Sequence, residues 1–187
     1  MPQAINQLRW TIDDLEGLPE NSNRYEIIDG ELHVTRAPHW KHQSVAGRVH
    51  SKLLIWSEES GLGESVMTPG VIFSDSDAVI PDVVWVSSER LDALLDEAGH
   101  LVGSPDLVIE VLSTSKKDKD RDRKTKLKLY SAQGVLEYWI FDRENQTIEI
   151  YRRDSGVLTL RMTLYAEDTL SSPLLPGFTC AVDNLFG

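Results

Sequence analysis

Two carboxylates and one lysine occupy positions where apolar side chains are expected. Glu110 lies in the middle of the apolar run PDLVIEVL, and Asp82 lies in the equally apolar run VIPDVVWV. Lys126 lies in the highly charged segment that follows Glu110. An ionised carboxylate without a partner in apolar surroundings costs several kcal/mol, so each one needs a cation, hydrogen bonds or a raised pKa. The three residues therefore form a candidate site.

The phase of the predicted strands places both carboxylates among apolar neighbours. Alternate residues of a strand share a face, so Glu110 shares its face with Val108 and Leu112. Asp82 is flanked in the same way if residues 79–86 form one buried strand. We therefore expect two adjacent elements of a sheet to present these carboxylates.

Lys126 is the unusual lysine of the charged segment, which reads as one regular helix. At about 100° per residue, Lys126 lies in the middle of an apolar stripe with Leu129. Asp122 lies about 40° away on the same side, whereas Arg121 and Lys128 lie on the opposite side. The helix is therefore predicted to turn Lys126 toward the sheet.

Structural roles compete with chemical ones for each of these residues. A carboxylate near the end of a strand often accepts structural hydrogen bonds, and Lys126 could extend along Tyr130 to water. The basic run from Lys116 to Lys128 could contact a DNA backbone, or it could be a solvated helix with local salt bridges. The joint occurrence of two carboxylates and a matching cation favours a functional site.

Two further residues are candidates for an accessory role. The run YEIIDGELHV predicts a β-hairpin, because Asp29-Gly30 supplies the positive φ angles of a tight turn. Glu26 lies in its first strand, among apolar residues. An amphipathic helix is predicted over residues 41–59, and His42 at its start could contact a phosphate or lie exposed at the surface.

Carboxylate oxygens without histidine or thiolate partners suit Mg²⁺ or Mn²⁺ better than zinc. Such an ion polarises a phosphoryl oxygen and lowers the pKa of a bound water, and a nearby lysine can orient or deprotonate the nucleophile. A two-carboxylate glycosidase ranks last, because a buried lysine has no role in that chemistry. The residue types thus indicate metal-dependent phosphate chemistry.

Composition limits the remaining alternatives. A length of 187 residues predicts a single domain, 1–187. The net charge of −11 argues against a general nucleic-acid-coating surface but permits a locally basic cleft. The lone Cys180, and the lack of a recognisable signal peptide or membrane-spanning run, predict a cytoplasmic protein.

The motifs resemble a known family. Pro81-Asp82, followed after a gap by Glu110-Val111-Leu112, resembles the PD-(D/E)XK signature of restriction-endonuclease-like nucleases. Over about residues 24–152, the motifs YEIIDGEL, PDVVWVS, PDLVIEVLS, the run from Lys126 to Tyr130 and GVLEYWIFD together resemble the Uma-type family of putative restriction endonucleases.

This resemblance implies a restriction-endonuclease-like α/β fold, with a mixed central β-sheet flanked by α-helices and an N-terminal β-hairpin extension. It implies that the chain hydrolyses DNA phosphodiester bonds with Mg²⁺ or Mn²⁺, held by Asp82 and Glu110 with a further contact from the Val111 carbonyl. It also implies a homodimer. The signature's lysine is replaced by Leu112, and in some branches it has moved to the following helix, where Lys126 would activate water. The acidic total charge keeps open a non-catalytic nucleic-acid-binding or protein-binding module on the same fold.

Overall fold

The computed structural model describes residues 8–187, which form strands and helices along the whole range. The strands are β1 (Arg24–Ile28), β2 (Glu31–Thr35), β3 (Gly63–Met67), β4 (Val71–Ser74), β5 (Asp77–Val79), β6 (Val83–Ser87), β7 (Leu101–Val102), β8 (Leu107–Val111), β9 (Glu137–Asp142), β10 (Thr147–Asp154), β11 (Val157–Leu164), β12 (Thr169–Ser172) and β13 (Leu175–Ala181). The helices are α1 (Ile12–Leu15), α2 (Trp40–Ser60), α3 (Ser88–Leu94), α4 (Lys116–Asp120), a π-helical segment (Arg121–Lys126), α5 (Leu127–Gln133) and α6 (Asp183–Phe186).

A six-stranded sheet in the order β11-β10-β9-β8-β6-β3 forms the centre of the fold. Its strands β8 and β9 are parallel, and every other neighbouring pair is antiparallel. The central sheet is therefore mixed, as predicted. A five-stranded sheet in the order β2-β1-β5-β4-β7 and a two-stranded sheet of β12 and β13 complete the β structure.

Side chains of the central strands alternate between two apolar cores. Leu107 and Ile109 of β8 lie in the core that α2, β13 and α6 cover. Val108 and Leu112 lie in the core on the other face, with α5 and the five-stranded sheet. The predicted phase of β8 is confirmed by this division. Helices lie on both faces of the sheet, as the motifs implied.

The predicted hairpin is formed by β1 and β2, with Ile28 opposite Glu31. Both turn residues have positive φ angles, 51° at Asp29 and 73° at Gly30. The hairpin is more than an extension, because Ile27 of β1 also pairs with β5. This pairing fixes the inner face of the hairpin against the rest of the molecule.

The prediction of one strand over residues 79–86 is wrong, because two strands share this stretch. β5 ends at Val79 and belongs to the five-stranded sheet, whereas β6 begins at Val83 and belongs to the central sheet. The chain crosses between the sheets at the intervening residues. Pro81, which has no N–H to donate to a ladder, lies in this crossing. Asp82 therefore lies at the junction of the two sheets, immediately before β6.

Helix α2 spans slightly more than the predicted range of 41–59. The ring Nδ1 of His39 accepts a hydrogen bond from the Lys41 backbone N–H at its start, and Gly61 ends the helix with a φ of 67°. At 21 residues it is the longest helix. Among residues 8–187, no helix is both long and apolar enough to cross a membrane.

Candidate active site

The predicted residues lie together at one cavity of about 820 Å³. Asp82, Glu110, Val111 and Lys126 all line it, although they come from the sheet junction, β8 and the π-helical segment. His42 at the start of α2 lines it as well. The structure therefore places the three predicted catalytic residues and one accessory candidate around one space.

Lys126 connects two glutamates beneath the cavity. Its Nζ donates hydrogen bonds of 2.8 Å to Glu26 Oε1 and 2.8 Å to Glu110 Oε1. The Lys126 residue is only 1% exposed. Burial opposes its charge, but the surrounding carboxylates, Glu110 first, outweigh burial and raise the pKa of Lys126 above its ordinary value. The lysine is therefore held as a buried ammonium.

Glu26 is the predicted accessory residue that fixes this ammonium from the side of the hairpin. It lies on β1, and its Oε1 also accepts a hydrogen bond of 2.9 Å from the Ile80 backbone N–H. Burial would raise the pKa of Glu26, but the charge and hydrogen bond of Lys126 dominate and lower it. Glu26 is therefore ionised and pairs with Lys126.

Asp82 has donors on both carboxylate oxygens. The Val111 backbone N–H donates to Oδ2 at 2.8 Å, and Arg24 donates to Oδ1 at 3.2 Å. His42 Nε2 lies 3.1 Å from Oδ2. Burial opposes ionisation, but His42, Arg24 and the Val111 N–H together lower the pKa of Asp82 to about 2. Asp82 is therefore a carboxylate at any physiological pH.

His42 contributes to this arrangement from a buried position. The alternative of an exposed His42 at the helix start is wrong, because the residue is buried and its ring lies next to Asp82. Its Nδ1 is buried and has no hydrogen-bond partner among the described residues. His42 is therefore placed to orient Asp82, with its second ring nitrogen left free.

Glu110 is in the opposite electrostatic situation to Asp82. Its Oε1 accepts hydrogen bonds from Lys126 and, at 2.9 Å, from the Tyr130 hydroxyl. Burial together with the negative charges of Asp82, Asp122 and Glu26 outweighs Lys126 and raises the pKa of Glu110 to about 8. The carboxyl group therefore holds a proton near neutral pH unless a further cation is present.

Asp122 is a site residue that the sequence reasoning missed, although the helical projection had placed it near Lys126. It is buried, lines the cavity, and its Oδ1 has no hydrogen-bond partner among the described residues. The Nε of Arg121 lies 3.6 Å away. Burial raises the pKa of Asp122 to about 6, with contributions from Asp82 and Glu26.

The helical projection was wrong for Arg121, because the segment from Arg121 to Lys126 is π-helical rather than α-helical. Hydrogen bonds in a π-turn run from residue i to i+5. Arg121 and Lys126, five residues apart, therefore lie on the same side, and Arg121 lines the cavity. Short π-helical segments are rare and often occur at functional sites.

The buried group at this cavity has one positive charge too few. Its carboxyl groups outnumber its cations by four to three: Glu26, Asp82, Glu110 and Asp122 against Arg24, Arg121 and Lys126. Either a proton or an added cation restores the balance. The oxygen-rich donor set thus fits a divalent cation such as Mg²⁺.

The cation that this donor set fits is one that needs few protein ligands. Among the described residues, no group of three or more His, Cys, Asp or Glu side chains is arranged to hold a metal ion. Mg²⁺ commonly keeps several waters and uses only one or two carboxylates together with substrate phosphates. Asp82 and Glu110, which both line the cavity, supply two carboxylates.

Four cations line the cavity away from this buried group: Arg36, Lys41, Lys117 and Arg143. None of them forms an ion pair with a carboxylate of residues 8–187. Most of the basic run beyond Lys117 is different, because Lys119, Arg123 and Lys124 form ion pairs with nearby carboxylates. Local salt bridges therefore describe most of that run.

The charge of the cavity is opposite to that of the rest of the chain. The cavity is lined by seven Lys or Arg and four Asp or Glu side chains, a net charge of +3. The whole chain has 19 basic and 30 acidic residues, so the remainder has 12 and 26, a net charge of −14. The locally basic cleft that the composition permitted is present.

Comparison with known proteins agrees with this arrangement. A family model described as Uma2, putative restriction endonuclease, matches residues 12–183, a wider range than the motifs covered. The crystal structure of a putative nuclease belonging to DUF820 from Anabaena variabilis ATCC 29413 superimposes with a TM-score of 0.74. It is 20% identical, and the alignment covers 94% of this chain and 97% of that chain. The likeness confirms the predicted restriction-endonuclease-like α/β fold. No curated protein matches the chain.

Proposed function

Since the chain belongs to the Uma2 family of putative restriction endonucleases, we propose that it is a metal-dependent nuclease that hydrolyses DNA phosphodiester bonds. One observation carries this proposal. Lys126 is buried between Glu26 and Glu110, beside Asp82, at the base of a cavity whose outer wall is cationic. This combination provides both a charged reaction centre and a surface for phosphates.

Asp82 and Glu110 are the residues that would hold Mg²⁺ or Mn²⁺, with the Val111 carbonyl as a further oxygen donor. A bound divalent cation would polarise the phosphoryl oxygen and lower the pKa of a water. Val111 contributes in a second way, because its N–H fixes Asp82 Oδ2. Arg24 and His42 hold Asp82 from the other directions. The carboxylate is thereby oriented before any ligand enters.

Lys126 acts in this scheme as an ammonium rather than as a base. The ionised Glu26, the hydrogen bond to Glu110 and the raised pKa of Lys126 keep the proton on Nζ at neutral pH. A protonated amine cannot take a proton from water, but it can orient the attacking water and stabilise negative charge that develops on the phosphoryl group. Activation of water by Lys126 is therefore electrostatic in this proposal.

The unpartnered Asp122 Oδ1 supplies a free acceptor in the same cavity. A carboxylate with a pKa near 6 is ionised in most molecules at neutral pH. It could accept a hydrogen bond from the water that attacks the phosphodiester. Arg36, Lys41, Lys117 and Arg143 would bind phosphates on either side of the reacting group.

The direct test is DNA cleavage by the purified protein with Mn²⁺, using plasmid and single-stranded circular DNA. We expect wild-type protein to cleave, Asp82→Ala and Lys126→Ala to lose at least about a hundredfold in rate, and EDTA to abolish the activity. Lys128→Ala is the matched control, because Lys128 is exposed only two residues away. Equal cleavage by all variants, or cleavage that persists in EDTA, would refute the proposal.

The alternative is a binding module without catalysis, and one observation favours it. Glu110 Oε1 is already bound by Lys126 and Tyr130, and no third side-chain metal ligand is in place among residues 8–187. In that case wild-type protein would bind DNA in Mn²⁺ without cleaving it. The homodimer implied by the family resemblance stays a prediction, which light scattering on purified protein would test.

A further inference from the structure

Trp40 is the most exposed aromatic side chain near the cavity. It is 85% exposed at the first position of α2. Its neighbours in the chain, His39 and Lys41, both line the cavity. A large aromatic side chain at such exposure loses the free energy that burial would provide.

The contrast with other tryptophans shows that Trp40 has no packing role. Trp56 and Trp85 pack against each other with ring centroids 5.8 Å apart, and Trp139 stacks on Phe178. No aromatic ring of the described residues pairs with Trp40. The face of its indole ring is therefore available to a ligand.

The depth of the site restricts what that ligand can be. Asp82, Glu110 and Lys126 are each at most 3% exposed, so a phosphodiester must enter the cavity to reach them. A volume of about 820 Å³ is in the range of pockets that enclose small ligands. A flexible unpaired strand can bend into such a space along a positively charged groove, whereas a duplex would have to bring both of its paired strands with it.

The charge distribution also favours an unpaired strand over a duplex. Proteins that bind a duplex contact its phosphates over a broad basic surface of about 1,000–2,500 Å². In this chain the side chains that line the cavity have a net charge of +3, whereas the remainder has a net charge of −14 from 12 basic and 26 acidic residues. A long duplex lying across that surface would be repelled, whereas a single strand that enters the cavity would meet the cations.

We propose that the cavity binds unpaired, single-stranded DNA and that Trp40 stacks on a base at its mouth, while Arg36 and Lys41 bind adjacent phosphates. This inference rests on the proposed function, because it names the form of the substrate. Aromatic stacking combined with a basic groove is the usual means of binding single strands without sequence preference. Trp40 acts here in binding, at a distance from the reacting atoms.

The test is fluorescence anisotropy in EDTA, with a labelled 20-nucleotide strand and with the same strand annealed to its complement. We expect wild-type protein to bind the single strand at least about tenfold more tightly than the duplex. Trp40→Ala should weaken single-strand binding about tenfold and leave duplex binding unchanged. Lys41→Ala should weaken single-strand binding and reduce its salt dependence by about one phosphate contact.

Leu160→Ala is the matched control, because Leu160 is an exposed apolar residue on β11 that does not line the cavity. Equal or tighter binding of the duplex, or unchanged single-strand affinity in Trp40→Ala, would overturn the inference. Cleavage with Mn²⁺ then separates it from the proposed function. Single-strand preference without cleavage refutes the nuclease and leaves the inference standing, whereas cleavage of duplex alone refutes the inference and leaves the nuclease standing.

Discussion

Two buried glutamates on neighbouring strands show how differently the same sequence pattern can be used. Glu110 lies on β8 and Glu137 begins β9, and the two strands are parallel, with Leu107 opposite Glu137. Both glutamates interrupt apolar runs, and both are 3% exposed. Sequence pattern and burial therefore do not distinguish them.

Glu137 is balanced by its surroundings. Arg152 Nε donates to its Oε1 at 3.0 Å, and the Ser172 hydroxyl donates to the same oxygen at 2.7 Å. Trp139 Nε1 donates to its Oε2 at 2.8 Å. One carboxylate thus has one cation and two neutral donors, and it is not among the residues that line the large cavity. These hydrogen bonds connect β9 to β10 through Arg152 and to β12 through Ser172.

Glu110 is surrounded by more negative charge than its partners neutralise. It shares Lys126 with Glu26, and burial with the nearby carboxylates raises its pKa to about 8. The difference between the two glutamates is therefore charge balance and access to a cavity. An unbalanced buried carboxylate is unfavourable in the free protein, and it becomes useful when a cation binds.

The largest expected difference between the two glutamates is in activity. Glu110→Gln should reduce DNA cleavage by about 10²–10³-fold, because it removes a charged ligand and one partner of Lys126. Glu137→Gln should leave the rate of the folded protein within about twofold, because Glu137 does not line the cavity. Single-turnover cleavage in Mn²⁺, normalised to the folded fraction, measures both. Similar losses in the two variants would show that the contrast in charge balance has no functional meaning.

For the free energy of unfolding we expect the reverse order, with the larger loss in Glu137→Gln. Glu137→Gln leaves Arg152 without its carboxylate and should lower the free energy of unfolding by about 2–3 kcal/mol. Glu110→Gln should change it by less than about 1 kcal/mol, because Glu110 is mostly protonated at pH 7 without a cation, and Lys126 stays paired with Glu26. Urea unfolding at pH 7 in EDTA gives both values. A larger loss for Glu110→Gln would contradict the proposed charge excess.

Much of this site could be predicted from local patterns. The period of two along β8 placed Glu110 correctly among Val108 and Leu112, and the position of Lys126 on the inner side of its helix was also correct. Both predictions depend only on the regular geometry of one element. The prediction for Glu110 succeeded because β8 is regular, and that for Lys126 succeeded because Lys126 lies directly before the regular helix α5, whose Leu129 and Tyr130 are buried.

The errors arose where regular geometry ends or distant segments meet. Asp82 lies at a crossing between two sheets, which the hydrophobic run alone does not reveal. The π-helical segment shifts Arg121 onto the side of Lys126, because its turns are wider than those of an α-helix. The pairing of Lys126 with Glu26 joins residues 100 positions apart. No periodicity in one segment can predict such a contact.

Divalent cations should stabilise the region of Glu110 and leave that of Glu137 unaffected. At a hundredfold excess over Kd, Mn²⁺ would stabilise the native state by about 2.7 kcal/mol, and at tenfold excess by about 1.4 kcal/mol. The effect should increase from pH 6 to pH 8, because the cation must displace the proton that Glu110 holds up to a pKa of about 8. Thermal unfolding with and without Mn²⁺ measures the shift. Glu110→Gln should abolish it and Glu137→Gln should retain it; an equal shift in both would indicate only nonspecific binding to the acidic surface.

The smallest effect concerns Asp142, a second balanced carboxylate at the far end of β9 from Glu137. Burial opposes its ionisation, but hydrogen bonds from Asn145, Arg123 and the Glu144 N–H outweigh burial and lower the pKa of Asp142 below its ordinary 3.8. The stability that its charge contributes is therefore fully present above pH 3.8 and is lost as the pH falls through the lower pKa of the folded protein. Asp142→Asn should lower the free energy of unfolding by about 1 kcal/mol at pH 7. The difference from wild type should shrink in acid below pH 3.8, which urea unfolding at pH 7, 4 and 3 would measure. A difference that stayed constant over this range would show that the charge of Asp142 does not contribute to the free energy of unfolding. Charge balance would then not explain the contrast between Asp142 and Glu110.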